Sequence, residues 1–84
     1  MDAVKMMQEI GCSDPGRAYD WFMEHRLYLN AAQVAQDFHL DRAKIVAAAE
    51  KAHAQMYQGG EHGVAREIIM RFKLNLVETS EARA

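Results

Sequence analysis

The sequence predicts an all-α fold, a compact bundle of about five short helices. Three observations carry this expectation. Apolar residues recur at helical spacing along most of the chain. The single proline and the five glycines fall mostly where those patterns break. The composition, half hydrophobic and 26% charged, is that of an ordinary globular chain of 84 residues. No repeat, low-complexity segment or long linker divides it. Residues 1–78 are therefore expected to form one domain, followed by a polar, frayed tail over 79–84.

The first helix is predicted over residues 3–10, with Asp2 as N-cap and Ala3, Met6, Met7 and Ile10 on one face. Gly11 is suited to the left-handed position that ends it. The second spans 15–27. Asp14 caps it, and Pro15 stands at the first helical position, where a missing amide costs nothing. Ala18, Trp21, Phe22 and His25 share a face, with Trp21 and Phe22 as the aromatic anchors of the core. The third spans 31–38. Asn30 and Gln33 read as an Asn-x-x-Gln variant of the capping box, and Ala31, Val34, Ala35 and Phe38 point inward. The fourth runs from 42 to 57 behind Asp41, with Ile45, Ala48, Ala49, Ala52 and Met56 inward, and Gly59-Gly60 ends it. The fifth runs from 62 to 76 on a stripe of Val64, Ala65, Ile68, Ile69, Phe72 and Leu76. Leu74 and Val77 lie off that stripe, so residues 73–78 are compatible with helix or strand.

Charge restricts the function classes. The net charge of −2 is not that of a general nucleic-acid coat. Residues 1–40 hold three basic and six acidic groups, and residues 41–84 hold seven basic and six acidic. Any nucleic-acid contact is therefore expected from a local patch in the second half. A single cysteine, Cys12, excludes an internal disulfide and fits a reducing cytoplasm. No apolar run reaches the roughly 18 residues of a membrane span. The N-terminus lacks the basic and apolar regions of a signal peptide.

The stretch from Val34 to Val46 is the most specific. An amphipathic run ends at Phe38-His39-Leu40, and a second starts behind Asp41. Ala35 is a small residue where the two helices would cross. Phe38 and Leu40 flank the turn as apolar plugs, and Ile45 and Ala48 complete the inward positions. Over residues 31–50 this resembles the helix-turn-helix superfamily, with one departure. His39 stands where glycine is usual, and it is one of the few other residues that tolerate positive φ. The resemblance implies that the start of the fourth helix enters the DNA major groove. Arg42 would then reach a guanine edge or a phosphate, with Ala43, Val46, Ala47 and Glu50 also facing outward. Lys44 and Lys51, two turns apart, would face the DNA backbone, and Asn30 and Gln33 would hold a phosphate at the third helix's N-terminus.

Other constellations are weaker. His25, His39, His53, His62 and Cys12 lack the spacing of a structural zinc site, so no metal or other cofactor is expected. Cys12 in a turn, with scattered histidines, is no nucleophile–base pair, and no enzymatic motif occurs. Gly59-Gly60-Glu61-His62-Gly63 follows no strand and lacks the Lys-Ser/Thr ending of a phosphate loop. Met6 and Met7 at a chain end are expected to be half covered. Arg66, Arg71 and Lys73 form a second basic group, solvated with Glu67 paired to Arg71, or a phosphate-contacting stripe.

The leading expectation is a small DNA-binding transcription regulator that contacts double-stranded DNA. It would act as a homodimer whose subunits meet through Phe72, Leu74, Leu76 and Val77 of the C-terminal helix. The alternative is a protein-binding inhibitor or adaptor of a polymerase, nuclease or regulator. It would use the acidic first half, the Ala/Val face of the fourth helix and the Met6-Met7 pair.

Overall fold

The computed structural model describes residues 3–74. They form five helices, α1 (Ala3–Glu9), α2 (Pro15–Glu24), α3 (Tyr28–Asp37), α4 (Arg42–Gln58) and α5 (His62–Phe72), with no strand among the described residues. α3 lies at the centre, packed against α1, α2 and α4, while α5 packs against α4 and reaches α3 through Arg71. Five consecutive residues of α3, Ala31 to Ala35, are buried, as expected of a helix enclosed on nearly all sides. Alanine makes that enclosure possible. Ala18, Ala31, Ala32, Ala35, Ala48, Ala49 and Ala52 are fully buried, and their small side chains let the helix axes approach closely. Phe22, Phe72, Ile68, Met6 and Met7 fill the remaining space.

All five helices end in the same way. A residue in the left-handed conformation follows the last turn, and the next amide reaches back five residues to a carbonyl. The five left-handed residues are Gly11, Arg26, His39, Gly60 and Lys73. The closing bonds are Cys12 to Met7, Leu27 to Phe22, Leu40 to Ala35, Glu61 to Met56 and Leu74 to Ile69, at 2.8–3.0 Å. His39 takes positive φ as its place in the turn predicts.

Several expectations are corrected. α2 stops at Glu24 rather than 27, because Arg26 turns left-handed and draws the Leu27 amide back onto Phe22. α3 starts at Tyr28 rather than 31, so Asn30 lies inside its first turn and the Asn30–Gln33 capping box does not form. Tyr28 and Leu29 pack against the core, which favours the earlier start over the polar cap. Trp21 is no core anchor. It is 37% exposed and stacks on exposed His25, while its neighbour Tyr19 takes the buried place beside Ala18 and Phe22. Met6 and Met7 are buried against the rest of the bundle and are not a free surface. α5 ends at Phe72, not 76, and Val64 of its predicted stripe is exposed. Phe72 and Leu74 are buried in the chain's own core, which removes both from the predicted dimer surface. Leu76, Val77, the Asp2 cap and the predicted 79–84 tail lie outside the described residues.

Candidate nucleic-acid interface

The candidate surface is built on the first three turns of α4. Residues 38–41 carry the chain from α3 into it, and Asp41 occupies the N-cap position. Its carboxylate makes no capping bond there. The Asp41 carbonyl accepts from the Lys44 and Ile45 amides instead. Ile45, Ala48, Ala49 and Ala52 face the core. That orientation leaves Arg42, Ala43, Lys44, Ala47, Glu50 and Lys51 exposed, with Val46 half-buried at the edge.

The basic residues on this surface are positioned rather than loose. The Arg42 guanidinium donates to the Lys73 carbonyl at 3.0 Å, which ties the start of α4 to the end of α5. The Lys44 ammonium stands 5.0 Å from the centre of the Tyr19 ring. The Tyr19 hydroxyl in turn donates to the Lys44 carbonyl at 3.0 Å, so one tyrosine anchors both ends of that residue. Burial pushes the Tyr19 phenol above its ordinary value of 10.0, and the Asp20 carboxylate adds to the shift. Two turns on, Lys51 stands 5.8 Å from the Tyr28 ring. Such contacts orient an ammonium while leaving it free to meet an anion.

Gln33 is taken out of this surface. It is only 6% exposed, its amide donates to Asp37 at 2.8 Å, and its oxygen accepts from Arg71. A phosphate therefore has no access to it. Asn30 is half-buried one turn earlier on α3. Arg71 is engaged with Gln33 and lies 5.5 Å from the Phe72 ring, so the expected Glu67–Arg71 pair does not form. The tyrosines beneath Lys44 and Lys51 escaped sequence reading. A tyrosine on one helix and a lysine on another have no shared period to betray their contact.

Among the described residues, no group of three or more His, Cys, Asp or Glu side chains is arranged to hold a metal. No described helix is long and apolar enough to cross a membrane. The chain matches no protein-family model, no curated protein and no solved structure.

Proposed function

We propose that this protein binds double-stranded DNA through a helix-turn-helix formed by α3 and α4. One observation supports the reading above the others: the first turn of α4 is uncovered, and it carries Arg42, Ala43 and Lys44 in the open. A recognition helix must offer its N-terminal residues to the major groove, and these three residues are available for it. In this reading Arg42 reads a guanine edge, and Ala43 and Ala47 let the helix approach the bases closely. Lys44 and Lys51 neutralise phosphates along one side, and half-buried Asn30 is the polar contact left to α3. Gln33 serves the fold.

The test is mobility of mixed-sequence duplex DNA at low salt. Binding should weaken steeply as salt rises, because displaced counterions dominate the affinity. Replacing Lys44 and Lys51 by Gln should lower affinity on every sequence and flatten the salt dependence by about one unit of slope per lysine. Arg42→Ala with Lys44→Ala should abolish binding while helicity is retained. An unretarded duplex at low salt overturns the proposal. The second reading, a protein-binding module, is favoured by the uncharged side chains of Ala43, Ala47 and Ala54 on the same exposed surface. Its partner should bind the Arg42→Ala, Lys44→Ala variant undiminished and be lost on Ala47→Arg.

A further inference from the structure

A cleft lies where the turn between α2 and α3 meets the second half of α4. It is lined by Arg26, Tyr28, Lys51, Ala54, Gln55 and Gln58, and its volume is about 270 Å³. α4 supplies the last four, whose spacing places them on one face of that helix. The Gln55 amide donates to the Arg26 carbonyl at 3.3 Å and holds the turn against this face. Tyr28 opens α3, and its ring stands 5.8 Å from the Lys51 ammonium. Two cations from distant parts of the chain thereby line one cleft.

The lining is one-sided in its chemistry. No aspartate or glutamate belongs to it, and neither Arg26 nor Lys51 makes an ion pair among the described residues. The Tyr28 hydroxyl and the Gln58 side-chain amide make no hydrogen bond among them either. Arg26 carries a second indication. Its φ is 59°, a conformation that costs an L-residue energy, and arginine is not among the residues enriched there. Glycine holds the corresponding position after α1 and after α4, as Gly11 and Gly60. The backbone therefore gives no reason for arginine at this turn. Its exposed guanidinium makes no hydrogen bond that would supply one within the monomer.

We infer that this cleft is a phosphate site, and that in the proposed complex it holds one phosphodiester of the DNA backbone. The Arg26 guanidinium offers a planar fork to two phosphate oxygens, and the Lys51 ammonium neutralises the same group as a point charge. The Tyr28 hydroxyl and the Gln58 amide are left to donate to the remaining oxygens. The volume falls below the roughly 300–1,000 Å³ of sites that enclose a drug-sized ligand. That suits one anionic group of a polymer better than a whole nucleotide. Lys51 lies two turns beyond Lys44, about 10 Å along α4, so the cleft takes a phosphate of its own and fixes how the helix lies along the duplex. Lys51 is thus half of a two-cation clamp, and Arg26, from the turn before the helix-turn-helix, is the other half. That DNA supplies the phosphate rests on the proposed function; the cleft's affinity for the group does not.

Inorganic phosphate, titrated into the full chain at neutral pH and constant ionic strength, tests the site without DNA. The backbone amide resonances of Arg26, Tyr28, Lys51, Gln55 and Gln58 should shift together and saturate, with a dissociation constant of about 1–10 mM. Chloride in place of phosphate should bring none of them to saturation. Arg26→Gly and Lys51→Gln should each raise the constant at least about tenfold, the loss expected of one charge-assisted hydrogen bond. Arg26→Gly relieves the left-handed backbone as it removes the guanidinium, so its loss of binding is not a loss of fold. Shifts that stay linear in phosphate overturn the proposal, as do shifts that Arg26→Gly leaves unchanged.

Mixed-sequence duplex DNA separates the two sources of phosphate. With DNA as the source, Arg26→Gly should weaken binding on every sequence and reduce the salt dependence by about one unit of slope. Duplex binding that Arg26→Gly leaves unchanged overturns the inference and leaves the reading of Arg42 and Lys44 standing. Saturation by phosphate without any duplex binding overturns the DNA reading and keeps the cleft as a phosphate site, with a free anion as its source.

Discussion

Three residues in this chain hold a backbone conformation better suited to glycine. Arg26, His39 and Lys73 have φ between 54° and 59°. For an L-residue that conformation costs roughly 1–2 kcal/mol, and glycine avoids it at some cost in chain entropy. Arg26 and His39 are exposed, and neither side chain makes a hydrogen bond among the described residues. Arg26→Gly and His39→Gly should therefore each stabilise the fold by about 0.5–1 kcal/mol in chemical denaturation. A loss of stability would mean that those side chains do more than terminate helices. Lys73 differs because its carbonyl accepts from Arg42, so the turn there also fixes the candidate DNA-binding end of α4. Gln33 carries the other residue-scale lesson. Its place in the sequence reads as a capping and phosphate-contacting position, yet it is buried and shared between Asp37 and Arg71.

At the scale of elements, the two predicted aspartate caps that lie within the described residues separate. Asp14 has the extended backbone of an N-cap, and its carboxylate accepts from the Gly16 amide at 2.9 Å. Asp41 occupies the same position before α4 with no such bond. Asp14→Ala should cost about 1 kcal/mol and Asp41→Ala less than about half of that, as measured by denaturant midpoints. Equal costs would show that Asp41 caps α4 in solution. Removing Asp41 also takes a negative charge from beside Arg42 and Lys44, which should strengthen any DNA binding. The inward faces of α1, α3 and α4 follow their apolar spacing, because a helix has one period and a core rewards it. The helix ends at Glu24, Tyr28 and Phe72 did not follow the same reading. A boundary depends on whether a non-glycine residue will turn left-handed and on what the neighbouring helix offers.

At the scale of the molecule, Tyr19 joins α2 to α4 through its hydroxyl and through Lys44. Its phenol titrates higher in the folded chain than in the unfolded one, mainly through burial and further through Asp20. An acid with a raised folded value keeps its proton longer when folded. Its contribution is complete below the unfolded value of 10.0 and is lost as pH rises through the folded one. Stability should thus decline above pH 10 through this group, and the part due to Tyr19 should vanish in Tyr19→Phe. That variant should also lose about 1 kcal/mol at neutral pH with the hydrogen bond to Lys44. Denaturant titrations of both proteins at neutral and alkaline pH check the sign. An identical pH dependence would remove Tyr19 from the account.

The sequence by itself determined the all-α class, the presence of five helices, most of their inward faces and the left-handed turn at His39. These are written in local spacing and local backbone preference, which act over a few residues. Exposure of Arg42, Ala43, Lys44 and Lys51 was legible for the same reason, since they lie opposite Ile45, Ala48 and Ala52 on one helix. Only the tertiary structure decided that Tyr19 is buried and Trp21 is not, that Gln33 belongs to Arg71, and that Phe72 and Leu74 are core. Each of those outcomes depends on which residue of a distant helix arrives opposite, and the period of a single helix does not encode that.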